Sequence, residues 1–355
     1  MPDYIYFFHK PPLDRPAEFS AGFCFKKIIF SSVIYLIEMK LLKSGGKIMI
    51  AVLIPAYNEE ITIGKVIDDF KKYLEGREYK IYVYNNNSSD KTAQIAKEHG
   101  AIVRNEYTQG KGAVIRRMFR EIDADCYIMT DADDTYDVSE CVEMIRLVEE
   151  KNADMVVGDR LTGGYFTENK RKFHNAGNSL VKWGINKLFH TNISDVFTGY
   201  RAFSRDFVKT YPVLSKGFEV ETEMTIHAID KNMRIETMTV QYKDRPQGSA
   251  SKLRTIPDGM KVMKTIIDMI RIYRPLLFFG VLGLILGILS TIFFVPVVGE
   301  YMRTGEVLKF PTLIVCMAVY MFAIECFNSG MILQNLKKKE RTDFEFKLNT
   351  LHLNK

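Results

Sequence analysis

The stretch Cys126–Asp137, with the sequence CYIMTDADDTYD, joins a short apolar run to four aspartates. The apolar run has the length and composition of a buried strand. The aspartates follow at positions 131, 133, 134 and 137, so like charge gathers where the strand ends. Parallel sheets bind ligands beyond the carboxyl ends of their strands. We therefore predict a ligand-binding face at this end of the strand.

Short apolar runs and amphipathic helices alternate on both sides of this stretch, from Met49 to about Gly158. The runs IMIAVLIP, KIYVYN, AIVRN, CYIMT and DMVVG have the composition of strands. Between the first two runs, Ile63, Val66 and Ile67 fall on one helical face. This alternation is typical of βαβ units and predicts an α/β fold with a mostly parallel sheet covered by helices.

Residues 159 to about 252 lose this alternation and are rich in glycine, arginine, lysine, asparagine and aromatic residues. This composition suits loops on a ligand-binding face better than a core. We therefore predict one domain over residues 49–252, with binding loops in its second half.

Two apolar segments follow the predicted domain. PLLFFGVLGLILGILSTIFFVPVV contains no charge, and FPTLIVCMAVYMFAIECFNSGMIL contains only Glu325. Each exceeds the roughly 20 residues that a helix needs to cross a bilayer. We predict two transmembrane helices within residues 275–335, at about 275–298 and 310–333. Glu325 is either a functional or helix-pairing group, or a residue that faces the partner helix or a water defect.

The segment 253–274 is amphipathic, with apolar residues on one face and charges on the other. It is either an interfacial juxtamembrane helix or a helix packed on the preceding domain. Arg271 and Arg274 precede the apolar pair and LKKKER follows it, whereas the connecting loop is poorer in cations. The positive-inside rule then predicts a multi-pass protein of the cell membrane, with the sheet domain, a basic tail at 336–355 and both termini in the cytoplasm.

Five cysteines without C-x-x-C spacing argue against zinc and against a disulfide framework, which fits a reducing cytosol. Residues 1–48 show no clear period and end in KSGGKIM before the first good strand. We interpret them as an N-terminal extension. The hypothesis is that Met49 is the native start and that the preceding residues are translated upstream sequence.

Asp131 and Asp133 form a D-x-D pair that can direct oxygens at one hard divalent cation, Mg²⁺ or Mn²⁺. Such a cation neutralises the carboxylates and bridges them to a diphosphate. The alternative is a solvated acidic turn that caps the next helix, with Asp137 or Ser139 as the N-cap.

Other polar residues fall at neighbouring strand ends. LIPAYNEE places Pro55, Tyr57 and Glu59 where an aromatic ring and an acceptor can hold a nucleotide, and VYNNNSSDKT adds amides that include Asn86. Each motif alone is also compatible with a plain turn. QGKGAV opens a helix where Lys111 can meet phosphate. Because G-x-G-x-x-G and P-loop motifs are missing, a dinucleotide enzyme or ATPase is disfavoured.

LIPAYNEE, NNNSSD, DAD, VVGDR and DVFTGYRAF occur in this order in the chain, and RPQGSASKL precedes the two apolar segments. In these motifs the sequence resembles family 2 glycosyltransferases over about residues 49–335. The branch it resembles is that of polyprenyl-phosphate sugar synthases, similar to dolichol-phosphate mannose synthase. The resemblance implies a nucleotide-diphospho-sugar transferase fold, inversion at the anomeric carbon and a polyprenyl-phosphate acceptor.

The resemblance also implies roles for individual residues. The residues that would hold the nucleotide are Pro55, Tyr57, Glu59 and Asn86; those that would hold the metal are Asp131 and Asp133; those that would hold phosphates are Arg160, Arg171 and Arg245. Two departures stand out. An acidic pair usual in the family is replaced by Asn85 and Asn86, and Thr135 stands where the mannose-synthase branch often has glutamine.

A lipid phosphate monoester is largely dianionic at neutral pH, so that it hardly needs a general base. It needs cations that hold two anions together and a metal that stabilises the leaving group. We predict a catalytic set of Asp131, Asp133, Arg160 and Arg245, with Lys111 on the nucleotide-sugar, and an acceptor-phosphate set of Arg171, Arg201, Ser251 and Lys252. The run 170–172 is equally compatible with a solvated basic face. Asp195 is predicted to form a structural salt bridge, to orient Arg201 or to act as a residual base.

The predicted function is transfer of one sugar from a UDP- or GDP-linked donor to undecaprenyl or dolichyl phosphate, for cell-envelope glycan or glycoprotein assembly. Expected partners are these two substrates and membrane lipid, without nucleic acid; a homo-oligomer is compatible with the sequence. A processive polysaccharide synthase is disfavoured because the only tryptophan, Trp183, is not in the Q-x-x-R-W motif usual there. A membrane scaffold that binds nucleotide-sugar without catalysis is the other alternative.

Overall fold

A seven-stranded sheet organises the protein. The computed structural model describes residues 48–161, 182–217, 219–243 and 267–353, and all of them belong to one unit that begins at Ile48. The strands are β1 Met49–Ala56, β2 Glu78–Asn85, β3 Ile102–Asn105, β4 Cys126–Met129, β5 Met155–Asp159, β6 Arg201–Ser204 and β7 Ile235–Thr239. They lie side by side in the order β3-β2-β1-β4-β6-β5-β7.

Six of these seven strands run in the same direction. β1 pairs in parallel with β2 and β4, β2 with β3, and β5 with β7. β6 is antiparallel to both of its neighbours, β4 and β5, so these two share a direction. The five strands predicted from the sequence are all present, and the mostly parallel sheet is confirmed.

The sheet is covered on both faces. Leu53 and Ile54 are adjacent in β1 and point to opposite faces, yet both are fully buried. Ile54 belongs to one apolar cluster and Leu53 to another. Burial on both faces is why the central strands are continuous apolar runs without alternation.

Helices form these two covering layers. The helices that cover the sheet are α1 Ile63–Tyr73, α2 Thr92–Glu98, α3 Lys111–Glu121, α4 Cys141–Lys151, α5 Arg205–Thr210 and α6 Val220–Asp230. The apolar residues of α1, α2 and α4 join the cluster of Ile54, and those of α3, α5 and α6 join the cluster of Leu53. The predicted apolar face of α1, with Ile63, Val66 and Ile67, is therefore a face that covers the sheet.

The prediction of loops over residues 159–252 is wrong for much of the described part, which contains β6, β7, α5 and α6. β6 has only four residues and is buried at three of them, so it shows no alternation. In α6 nine of the eleven residues are buried, including Glu221 and Thr225. A helix buried nearly all round has no polar face, and its period is invisible in the sequence.

Two long helices end the described chain, α7 Pro275–Thr304 and α8 Phe310–Leu353. Both are long and apolar enough to cross a membrane. Their buried residues recur every seven positions, at Gly283, Ser290 and Val297 on α7 and at Cys316, Ala323 and Gly330 on α8. This spacing is that of a coiled-coil seam. The side chain of Glu325 is exposed on the hairpin and does not lie in this seam.

Helix α8 continues well beyond the predicted span, so residues 336–353 are helical where we predicted a basic tail. This extension contacts the sheet domain. Arg341 Nη2 lies 2.6 Å from the buried carboxylate of Asp230, and Glu340 lies 3.0 Å from Lys231 Nζ. Phe344 is buried against His227 of α6. The domain is therefore attached to the apolar hairpin through α8.

Residues 267–273 form a helical segment that leads to α7, whereas 253–266 lie outside the described residues. Met269 is buried in a cluster with Ile185 and Ile226 of the sheet domain. Lys337 Nζ of α8 lies 4.7 Å from the ring centre of Tyr273. The described end of the amphipathic segment thus packs on the domain, as the second of the two interpretations predicts.

Gly283 and Gly287 provide a matched test of the hairpin seam. A Cβ at Gly283 would lie 2.8 Å from the backbone oxygen of Ala323, whereas one at Gly287 would have no atom within 4 Å. We expect Gly283→Ala to destabilise the purified protein by roughly 1–3 kcal/mol, because the helices must separate. Gly287→Ala should be neutral or stabilising by up to about 1 kcal/mol. Thermal unfolding in detergent measures both; equal midpoints would contradict this packing.

His227 makes the contact between α6 and α8 sensitive to acid. Burial lowers the pKa of His227 from 6.5 to about 4, and the nearby Lys231 adds to this effect. Between these values the unfolded chain binds a proton that the folded chain does not bind. Stability should therefore fall as the pH drops from about 6.5 to 4, by at most about 1.4 kcal/mol per pH unit from this group. In His227→Phe the part of the pH dependence of the unfolding free energy that comes from His227 should disappear. The same pH profile in the variant and the wild type would refute this role of His227.

Candidate active site

The D-x-D pair lies in the loop that follows β4. Thr62, just before α1, donates from Oγ1 to the backbone oxygen of Ala132 at 2.6 Å. On the other side, Tyr136 forms a β-bridge with Tyr242, which lies beyond β7. The loop is thus held between the start of α1 and the segment after β7, so its two carboxylates have fixed positions.

Asp131 is confined from two sides. Lys111 Nζ, at the start of α3, lies 2.5 Å from Asp131 Oδ1. A Cβ at Gly199 would lie 2.4 Å from Asp131 Oδ2, so this position has no room for a side chain. Asp133 is 4% exposed, and its Oδ1 accepts a hydrogen bond from Thr135 Oγ1 at 2.6 Å. Thr135 therefore helps to position the second aspartate.

Glu221 belongs to the same cluster, although no sequence motif indicated it. Its Oε1 lies 2.6 Å from Lys111 Nζ, and both side chains are almost completely buried. Burial opposes the charge of Lys111, but Asp131 and Glu221 outweigh it and raise the pKa of the lysine. Burial raises the pKa of Glu221. The ammonium of Lys111 lowers this pKa and the carboxylate of Asp131 raises it, and the net shift is upward. The sequence carries no signal that singles out Glu221, because α6 also contains Glu223, His227 and Asp230.

The residues predicted to bind nucleotide come to this edge of the sheet. Pro55 is the penultimate residue of β1, and Tyr57, just beyond the strand, is 39% exposed. Glu59 is buried, and its backbone N–H donates to Thr92 Oγ1 at 2.8 Å. Thr62 also donates to Glu59 Oε2 at 3.5 Å, so one hydroxyl group links the LIPAYNEE loop to the D-x-D loop.

Asn86 has a role that the sequence did not predict. Its Nδ2 donates to the backbone oxygens of Glu106 and Thr108 at 2.9 and 2.8 Å, and its Oδ1 accepts from Gly110 N at 2.8 Å. Both amide atoms thus hold the loop 106–110. This placement does not favour direct base recognition by Asn86; the amide positions a loop at the mouth of the site.

The glycines of QGKGAV serve close packing of two backbones. A Cβ at Gly110 would lie 2.2 Å from Lys216 O, and one at Gly112 would lie 2.1 Å from Ser215 O. Gly112 N also donates to Lys216 O at 3.1 Å. The glycines therefore bring the segment 215–217 against the start of α3, and with it α6 and Glu221.

Arg160 and Arg201, both predicted to contact phosphate, differ in placement. Arg160 forms a two-pronged ion pair with Asp195, at 2.8 and 3.2 Å, and its guanidinium lies 5.3 Å from the ring centre of Tyr242. Burial alone would lower the pKa of Arg160. The electrostatic effects of Tyr136 and Asp195 outweigh burial, so the pKa is raised. Of the roles predicted for Asp195, the structure shows the salt bridge, with Arg160 as the partner.

Arg201 is completely buried within β6. Its guanidinium donates to the backbone oxygens of Val196 and Thr198 at 2.7 and 3.0 Å, and to Thr225 Oγ1 at 2.8 Å. Burial lowers the pKa of Arg201 despite the neighbouring Glu221. This placement does not favour the predicted contact with the acceptor phosphate. The other members of that set, Arg171, Ser251 and Lys252, and also Arg245, lie outside the described residues.

The remaining aspartates of the opening stretch have structural partners. Asp137 Oδ1 accepts from Ser139 N at 3.0 Å and caps a 3₁₀ turn over Val138–Glu140, which confirms the predicted cap. Asp134 has a φ of 54° and lies 2.6 Å from Lys65 Nζ of α1. The four aspartates thus divide into a pair that faces the site and a pair that shapes the loop.

The donor set at this site fits Mg²⁺ or Mn²⁺. Asp131 and Asp133 offer hard carboxylate oxygens two residues apart, which suit these cations. Among the described residues no group of three histidine, cysteine, aspartate or glutamate side chains is arranged to hold a metal ion. A cation would therefore take its other ligands from a diphosphate and water, which is usual for Mg²⁺.

Comparison with known proteins agrees with this geometry. Residues 51–211 match the family described as "Glycosyl transferase family 2". Protein RfbJ of Shigella flexneri is 51% identical over 32% of this chain and 88% of its own length. The dolichyl-phosphate hexose transferase of Haloferax volcanii is 28% identical over 61% of this chain and 92% of its own.

A solved structure shows the same fold. It is that of glucosyl-3-phosphoglycerate synthase from Mycobacterium tuberculosis, in complex with Mn²⁺, UDP and phosphoglyceric acid. The TM-score is 0.50 at 20% identity, over 64% of this chain and 78% of the other. The fold predicted by resemblance, that of nucleotide-diphospho-sugar transferases, is therefore confirmed.

Gly199 tests whether the position of Asp131 matters. Its φ lies outside the left-handed region, so Gly199→Ala adds only a Cβ, which forces the Asp131 carboxylate to move. We expect Mn²⁺ affinity to fall by roughly tenfold, because the metal loses an aligned ligand. Electron paramagnetic resonance of free Mn²⁺ measures this loss, and an unchanged unfolding temperature serves as the control. Unaltered Mn²⁺ binding would contradict the role of Asp131.

Proposed function

Because this chain belongs to glycosyltransferase family 2, we propose that it transfers a single sugar from a nucleotide diphosphate to a polyprenyl phosphate, with inversion at the anomeric carbon. One observation carries the proposal. Lys111 pairs with Asp131 of the D-x-D loop at the carboxyl edge of the sheet, in a chain that also carries two apolar helices long enough to cross a membrane. The similarity to a dolichyl-phosphate hexose transferase supports this choice of acceptor.

The reaction is a displacement at the anomeric carbon. An oxygen of the lipid phosphate forms the new bond to the anomeric carbon. The bond between this carbon and the donor diphosphate oxygen breaks, and its electron pair stays on that oxygen. The attacking phosphate is already largely dianionic at neutral pH, so no residue has to remove a proton. A divalent cation on Asp131 and Asp133 would neutralise the leaving diphosphate.

The residues of this chain supply position and charge. Lys111 brings a buried positive charge to the carboxylate that would hold the metal, and so to the place of the diphosphate. Arg160 is fixed by Asp195 and Tyr242 at the opposite side of the D-x-D loop. Tyr57 and Glu59 lie where the nucleotide would enter. Arg245, Arg171, Ser251 and Lys252 lie outside the described residues, and the phosphate-binding roles proposed for them rest on the sequence alone.

Helix geometry supports a membrane-bound acceptor. α8 has 44 residues and so extends about 66 Å, whereas about 30 Å is enough to cross the hydrocarbon core. The excess length is the part that contacts Asp230 and His227 of the domain. We propose that the domain lies on the cytoplasmic side, where Arg271, Arg274 and the cations of α8 flank the hairpin.

A donor screen tests the function. Purified protein is incubated with UDP-glucose, UDP-N-acetylglucosamine or GDP-mannose, with undecaprenyl or dolichyl phosphate, and with Mg²⁺, Mn²⁺ or chelator. We expect one lipid-linked monosaccharide by mass spectrometry, lost in chelator. A polymer would support a processive synthase, and no product from any donor would support the scaffold and refute the proposal.

Asp133 and Asp134 provide a matched pair of variants for this assay. Asp133→Ala should reduce transfer by roughly a hundredfold or more, because it removes a metal ligand. Asp134→Asn removes the charge that pairs with Lys65 and keeps a residue type that tolerates the φ of 54°, so it should retain transfer within a few-fold of the wild type. Similar activity of the two variants would refute the assignment of Asp133.

A further inference from the structure

Lys111 lies between two carboxylates that come from distant parts of the chain. Its Nζ is 2.5 Å from Asp131 Oδ1, beyond β4, and 2.6 Å from Glu221 Oε1, in the first turn of α6. The Lys111 side chain is 10% exposed and that of Glu221 is 4% exposed. Charges this far from water interact strongly, because the solvent screens them little.

The second oxygen of Glu221 distinguishes this carboxylate from an ordinary salt-bridge partner. Among the described residues no group donates a hydrogen bond to Glu221 Oε2, although the atom is buried. A buried carboxylate oxygen without a donor is unfavourable. The nearby Arg201 does not relieve it, because its N–H groups donate to Thr225 and to backbone oxygens. Glu221 therefore depends on Lys111 for its contact with a cation.

Asp131 cannot easily turn away from Lys111, because Gly199 closes the other side of its carboxylate. A cation that binds Asp131 must therefore compete with the lysine ammonium for the same group. If Lys111 had no other acceptor, it would lose a buried ion pair whenever Asp131 bound a metal. Glu221 Oε1 is that second acceptor, and it is already in contact.

From this arrangement we propose that Glu221 is a positioning residue that holds Lys111 when Asp131 binds the metal. Lys111 is the counter-cation of Asp131 before the metal binds. With a metal on Asp131, Glu221 would keep the ammonium in its present place, where it could contact the donor diphosphate. The inference rests on the proposed function for the identity of that diphosphate, but the exchange of partners at Asp131 is a property of the metal site alone.

The proposal predicts opposite effects of two substitutions on the binding of Mn²⁺ without nucleotide. Glu221→Gln deprives Lys111 of its second carboxylate, so the lysine holds Asp131 more firmly and the Kd of Mn²⁺ should rise by roughly fivefold to tenfold. Lys111→Gln removes the competing ammonium, so the Kd should fall by a similar factor, about fivefold. Transfer should fall in both variants, because the ammonium is misplaced or lost.

The double variant separates positioning from a general charge effect. If Glu221 acts through Lys111, Lys111→Gln with Glu221→Gln should bind Mn²⁺ as Lys111→Gln does, within about twofold. Glu219→Gln is the control, because it removes an exposed carboxylate two residues earlier in the chain. This variant should leave the Kd unchanged.

The experiment titrates the full-length protein in detergent with Mn²⁺ and follows free Mn²⁺ by electron paramagnetic resonance, after thermal unfolding has shown that each variant is folded. For a variant that does not fold, Lys111→Arg or Glu221→Asp replaces it and should shift the Kd less. The proposal is overturned if Glu221→Gln leaves the Kd unchanged or raises it equally in the Lys111→Gln background. It is also overturned if the wild type binds no Mn²⁺. Because no sugar donor is present, the result is independent of the transfer assay.

Discussion

The common direction of six strands is the constraint on which the site depends. Leu53 of β1 lies opposite Met129 of β4 and Tyr82 of β2. β1 and β2 end side by side at Ala56 and Asn85, and β4 ends at Met129, level with Leu53. Because the three strands are parallel, their loops leave the sheet at the same edge. The loops that follow carry Tyr57 and Glu59, the asparagines after β2, and the D-x-D pair. Residues about 75 positions apart in the sequence become neighbours through this register alone.

Ion pairs and one hydrogen-bonded cap offset the negative charge at this edge of the sheet. Four aspartates in seven positions would repel one another if all faced the same space. The structure divides them, since Asp134 pairs with Lys65 and Asp137 caps the next turn. Asp131 pairs with Lys111, which also pairs with Glu221. Arg160 and Asp195 form a separate pair beside the same loop. Each of these cations is thus held in place by at least one carboxylate.

Two helices connect this chemistry to the acceptor's environment. The seam of small residues between α7 and α8 allows close backbone approach, as at Gly283 and Gly330. Because α8 is continuous from the apolar hairpin to the contacts with α6, a movement of the domain relative to the hairpin has to bend a helix or break the pair of Asp230 and Arg341. This rigidity suits an enzyme whose second substrate is presented by a lipid surface.

The sequence by itself determined the parallel sheet, the D-x-D loop, the cap at Asp137 and the two apolar helices. These features rest on local patterns, namely apolar runs, helical spacing and the residues at strand ends. The sequence did not reveal β6, β7 or α6, because short or fully buried elements have no polar face to mark a period. Only the tertiary structure decided that Asn86 holds a loop, that Arg201 is internal and that Glu221 reaches Lys111. The reason is physical: these roles depend on which backbone atoms and charges meet across the fold, and such contacts join residues far apart in the chain.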